Sequence, residues 1–119
     1  MANPSVEGPS GAGTERLRRA YLTSNTGWNI IIGGEADHLY TILSLTYSQA
    51  TASAFNIGLR VDITGADSTH IQILDGHTSL PSYGTFVFSD KLVMAGTDHL
   101  EAYSASACQM YVSYIDQHF

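Results

Sequence analysis

Ala54 to Thr64, AFNIGLRVDIT, alternates without a break. Phe55, Ile57, Leu59, Val61 and Ile63 are apolar, while Asn56, Gly58, Arg60, Asp62 and Thr64 are polar or small. A period of two sustained over this length is a β-strand with one face on a core. A helix would scatter the same apolar side chains around its circumference. The opposite face meets water or a partner. On that reading Arg60 and Asp62 suit a structural ion pair at least as well as catalysis, and Arg60→Ala should cost far less than Leu59→Ala if that face is solvated.

The rest of the chain follows the same grammar. Arg18 to Thr23 reads as a first strand with arginines at its entry, and Thr23 to Gly27 as a turn cluster. Trp28 to Ile32 is a buried strand with Trp28, Ile30 and Ile32 on one face and Ile31 on the other. In His38 to Tyr47, Leu39, Leu43, Leu45 and Tyr47 line one face, opposite Tyr40, Ile42, Ser44 and Thr46. Ser48 to Ser53 is a small-residue loop and Gly65 to Ser68 a turn into a strand Ile71 to Leu74. Asp75 to Tyr83 reads as a long loop. Gly84 to Gln117 then gives short strands joined by tight turns: Thr85 to Phe88, Leu92 to Met94, a strand from His99, and Met110 to Ile115. A strand so near the chain end is expected inside a sheet, because an edge position would fray. About eight strands at spacings of roughly ten residues predict an all-β domain, a single β-sandwich of jelly-roll or Greek-key type.

A chain of 119 residues is one domain. Its charged fraction is 13%, about half the usual share, beside an ordinary hydrophobic fraction of 44%. Such an uncharged polar surface is compatible with lying against other protein. Three of the five basic residues are Arg16, Arg18 and Arg19, and from Ala20 onward Arg60 and Lys91 face nine acidic residues. An acidic body argues against a nucleic-acid partner, which needs several phosphates neutralised. A single Cys108 excludes an internal disulfide framework. No apolar run is long enough for a membrane-spanning helix, and no signal peptide is marked, so no membrane partner is expected.

Residues 1–14, MANPSVEGPSGAGT, are too polar and glycine-rich to fold alone. They form an extended N-terminal arm before a sandwich domain at 15–119, either a passive tail or a segment that becomes ordered on a neighbouring subunit. The basic entry Arg16, Arg18 and Arg19 behind it is the natural place for attraction to an acidic partner.

No catalytic constellation emerges. His38, His70, His77, His99 and His118 include no H-x-H or H-x₃₋₅-H pair, and Cys108 has no histidine nearby, so neither a metal nor any other cofactor is assigned. No G-x-S-x-G frames a serine, and the glycines of the arm precede no helix. The chain is not expected to be an enzyme. Among seven tyrosines, Tyr40, Tyr103 and Tyr111 fall opposite the better apolar stripes. They are strand filling, subunit contacts or, as a third reading, a carbohydrate platform.

Four stretches together carry a resemblance: Gly8 to Leu22, His38 to Ser44 (HLYTILS), Gly84 to Lys91 (GTFVFSDK) and Tyr111 to Gln117 (YVSYIDQ). The pattern resembles small virion proteins of tailed bacteriophages. The resemblance implies a virion structural protein assembled in the host cytoplasm, most readily a capsid decoration or cement protein at junctions of major capsid protein subunits. A homotrimer is the first expectation for its assembly. A tail, neck or fibre component is the alternative within that class, and a glycan-binding β-sandwich module the alternative outside it. Arg16, Arg18, Arg19, Tyr40, Tyr103 and Tyr111 are the candidate partner-binding residues.

Overall fold

The computed structural model describes residues 14–24, 26–63 and 69–119. Nine strands form among them: β1 (Thr14–Ser24), β2 (Gly27–Gly33), β3 (His38–Ser48), β4 (Phe55–Asp62), β5 (His70–Leu80), β6 (Thr85–Phe88), β7 (Leu92–Ala95), β8 (His99–Ser104) and β9 (Cys108–His118). No α-helix occurs among the described residues. Thr14 already pairs with His118, so the first strand is longer than its sequence signal. The rest of the N-terminal arm and the turn at Gly65 to Ser68 lie outside the described residues.

Two antiparallel sheets pack face to face. The first has the order β1-β9-β3-β6, with β7 also pairing with β3; the second has the order β2-β8-β4-β5. Strands β6 and β7 share one edge of β3, the first opposite Leu45–Ser48 and the second opposite Leu39–Ile42. Eight strand positions therefore suffice for nine strands. Only the β4–β5 and β6–β7 connections stay within a sheet, and every other connection crosses the sandwich. This nested crossing is the jelly-roll arrangement. The tight turns of the C-terminal third thus carry the chain between sheets or along one edge, and join no paired hairpin. β9 lies between β1 and β3 and is held on both sides.

Ile57, Leu59 and Val61 project inward from β4 as their alternation requires, against Ile42, Leu45, Leu100 and Val112. Two other strands change phase. Register against β9 shifts between Ile42 and Ser44, so Leu43 is an extra residue and the buried set passes from Tyr40 and Ile42 to Leu45 and Tyr47. Leu39 and Leu43 consequently do not share the inward face with Leu45. A second shift between Ile30 and Ile32 buries Ile31 with Ile32 and leaves Ile30 exposed, reversing the expectation for Ile30. The expected loop from Asp75 is mostly strand. Gly76, at φ +90°, forms a bulge where Gly58 pairs with Asp75 and Ile57 with Thr78. Asp75 Oδ1 accepts from the His77 amide at 3.1 Å, so the turn chemistry read there shapes a bulge inside β5.

Buried polar groups close both ends of the sandwich. At one end the Gln49 side-chain amide donates to the carbonyls of Ser53, Leu80 and Pro81. At the other, Asp116 accepts from His38 Nδ1 at 2.6 Å and from the Arg18 guanidinium at 3.2 Å. The Phe119 amide donates to the Asp37 carbonyl there, fixing the C-terminus to the β2–β3 turn. Within the core the Tyr47 hydroxyl donates to the Gly58 carbonyl at 2.8 Å.

Burial raises the phenol pKa of Tyr47, Tyr40 and Tyr114 above the ordinary tyrosine value. In the unfolded chain these phenols ionise near pH 10, about their reference value. Above that pH the unfolded state binds fewer protons than the native state, so stability falls as pH rises. Their contribution is complete below the unfolded value and is lost as pH climbs through the raised native values. The urea midpoint should therefore drop above about pH 10, with a shallower drop in Tyr47→Phe. A wild-type midpoint that stays level through this range would contradict neutral buried phenols.

Candidate functional site: the outward face of the first sheet

The outward face of the β1-β9-β3-β6/β7 sheet carries apolar side chains with no layer above them among the described residues. Cross-strand register arranges them in rows. Tyr21 stands opposite Tyr111, Tyr111 opposite Thr46, and Thr46 opposite Val87. A second row runs from Leu17 through Ile115 and Thr41 to Val93. Tyr21 is 71% exposed, Val93 59%, Val87 53%, Tyr111 44% and Leu17 38%. Between the rows Leu17, Arg18, Arg19, Leu43, Tyr111 and Ser113 line a shallow cleft of about 330 Å³. The Leu43 bulge is what places an extra leucine there.

The three arginines of the basic entry separate by strand alternation. Arg18 reaches Asp116, which is 4% exposed, at the end of the sandwich. Arg16 stands opposite Asp116 in register on the same side of β1. Arg19 points outward, its guanidinium 6.0 Å from the Tyr21 ring centroid. Interaction with the Tyr111 hydroxyl raises its pKa, so it stays charged on this face. Of the basic entry, Arg19 therefore belongs to the apolar face, while Arg18 serves the fold.

The tyrosine candidates separate too. Tyr111 lies on the outward face. Tyr40 is 4% exposed, because the shift at Leu43 turns the first half of β3 inward, and its hydroxyl accepts from the Glu35 amide. It is a core residue of the subunit, so it leaves the set of surface contacts. Tyr103 packs against Trp28 on the other sheet, ring centroids 5.2 Å apart. The Arg60 guanidinium covers Trp28 at 4.1 Å from its ring centroid, so this pair offers no open aromatic platform. Sequence patterning missed Leu17, Tyr21, Val87 and Val93. In β6 and β7 the usable signal is alternation around inward Met94, which leaves Val93 facing out.

Buried Cys108 has its thiol pKa raised by desolvation, which removes the thiolate that reactivity needs.

No protein-family model matches the sequence, and no curated protein matches it. Solved structures do match in fold. The chain superposes on a chain of the acidic stable capsid of Helicobacter pylori bacteriophage KHP30 with a TM-score of 0.54, at 9% identity over 89% of each chain. It superposes on a chain of the T13 infectious bursal disease virus particle with a TM-score of 0.55, at 10% identity, covering 92% of this chain and 33% of that one. On the Gx strain of that virus the TM-score is 0.52 at 10% identity, covering 99% of this chain and 37% of that one. The chain thus spans about a third of the length of the bursal disease virus chains and most of the phage chain. The architecture is a β-sandwich of the kind found in viral capsid proteins.

Proposed function

We propose that this chain is a virion structural protein of a tailed bacteriophage, a decoration or cement protein that works by binding, without catalysis. It seats the outward face of the first sheet on junctions between major capsid protein subunits. The observation that carries this reading is the exposed pair of apolar rows centred on Tyr111 and Val93. Contiguous apolar surface of this kind marks a protein contact, and tyrosine with arginine is the composition of interface anchors. The second sheet differs: its outward face carries the Trp28–Tyr103 pair and the Arg60–Glu101 ion pair, which satisfy one another within the subunit. One face with contiguous apolar rows, and another whose aromatic and charged groups pair within the subunit beside an exposed Ile30, suit a protein that sits on a shell. The fold likeness to a phage capsid chain of similar extent supports the same class. Homotrimeric assembly follows by analogy with local threefold positions on shells, and the arm at residues 1–14 adds contacts to a neighbouring subunit.

The test is occupancy on purified particles. Val93→Asp and Tyr111→Asp place a charge on the exposed face, where thermal stability should stay within about 0.5 kcal/mol of wild type. Copies bound per particle should fall by more than about tenfold for either variant. Deleting residues 2–13, which precede β1, should lower occupancy by a smaller factor with an unchanged thermal midpoint. Wild-type occupancy by both aspartate variants would remove this face as the contact.

A further inference from the structure

The outward face of the β2-β8-β4-β5 sheet holds two carboxylates that are nearly inaccessible: Asp62 is 1% exposed and Glu101 5%. Strand register brings them together. His99 stands opposite Asp62 and Glu101 opposite Arg60 across β8 and β4, while His70 stands opposite Asp62 on β5. One donor atom from each of Asp62, His99 and Glu101 lies within 4.8 Å of the others.

Arg60 directs both Nε and a terminal nitrogen, each at 2.7 Å, to the same Glu101 oxygen, Oε1. The second oxygen, Oε2, takes no part in that pair. The same guanidinium is pinned on its other side by Trp28. Beside Asp62 the described residues place two imidazoles: His99, opposite it in register, and His70, with Nε2 3.9 Å from Asp62 Oδ1. Neutral imidazoles bring lone pairs but no charge. Buried carboxylates are costly unless paired or coordinating a cation. A nitrogen and two carboxylate oxygens on adjacent strands form a three-ligand set with positions left for water, and this mixed donor set suits a first-row divalent ion.

We propose that Asp62, His99 and Glu101 form a divalent-cation site, zinc first, which clamps β4 to β8. Asp62 and Glu101 supply the anionic ligands and His99 the nitrogen. His70 beside Asp62 is the neighbour placed to orient that carboxylate, as outer partners of metal ligands do. Partial exposure of His99 gives the ion its way in. Such a site is a subunit-stabilising element, independent of which face meets the capsid.

Chelator-treated full-length protein titrated with Zn2+ alone, by calorimetry and by thermal unfolding, tests this. One saturable site per chain and a raised thermal midpoint are expected. His99→Ala should weaken Zn2+ binding by more than about tenfold and abolish the rise in midpoint. His99 is partly exposed, so this variant should fold even if Asp62→Asn does not. His77→Ala, in the exposed Asp75–His77 pair, and His118→Ala, in the stacked His38–His118 pair, should bind as wild type. Absence of saturable binding, wild-type affinity in His99→Ala, or a loss that instead follows His118→Ala would overturn the assignment.

Discussion

Leu59→Ala should lower the free energy of unfolding by about 2–5 kcal/mol, because it deletes a buried aliphatic side chain and leaves a cavity. Leu59 is fully buried at the centre of β4, among residues from both sheets that are themselves immobilised by packing. Its sequence neighbour Arg60, expected from alternation alone to be nearly free to change, should also be costly. Its side chain is 14% exposed and that of Glu101 7%, so solvent screens their 2.7 Å contact poorly. Arg60→Ala strands the Glu101 charge and uncovers Trp28, with an expected loss of about 3–5 kcal/mol. The two residues differ in how they can be rescued. Replacing Arg60 and Glu101 together by leucines should recover most of the Arg60→Ala loss, since a buried pair is often replaceable by apolar groups. Urea denaturation of the three variants measures this. An Arg60→Ala loss below about 1 kcal/mol would mean that the pair behaves as a surface salt bridge.

Gly58→Ala should destabilise, although glycine within a strand is ordinarily the weaker choice. A Cβ at Gly58 would lie 2.8 Å from the backbone N and Cα of Gly76 and 2.9 Å from Trp28 Cη2. Backbone on the far side cannot rotate away as a side-chain tip can, so β5 must shift at its bulge and Trp28 must leave its place under Arg60. The expected loss is about 1–3 kcal/mol, at the upper end for a rigid neighbour. Gly33→Ala is the control, since its Cβ would meet only Ile30 Cγ2, at 4.0 Å. It should be neutral or mildly stabilising in the same thermal unfolding experiment. Equal midpoints for the two variants would show that β5 accommodates the added methyl freely.

Much of the fold was legible from local pattern. Uninterrupted alternation from Phe55 to Val61 needs no tertiary information, since any strand with that sequence has a single apolar face. The short strands at Thr85 to Phe88 and Leu92 to Met94 were equally plain, bounded by turn chemistry, and the structure extends the second by Ala95. Alternation fails where one strand carries an extra residue. Leu43 looks like a core leucine, yet the bulge that expels it exists only in the pairing of β3 with β9. Asp75-Gly76-His77 looks like a turn, and becomes a bulge because β4 supplies a partner for the residues beyond it.

The candidate surfaces divide the same way. The sequence by itself determined an all-β sandwich, its inward stripe on β4 and a chain poor in charge, because these depend on side-chain periodicity and composition. Only the tertiary structure decided which apolar residues stay outside. Leu17, Tyr21, Tyr111, Val87 and Val93 come from four strands, and they form one face because β9 and β3 align their neighbours across the sheet. Likewise Asp62 and His99 are distant along the chain and show no ligand spacing. They meet because hydrogen-bonded register sets proximity in a sheet, and register is fixed between strands, where no local stretch of sequence can record it.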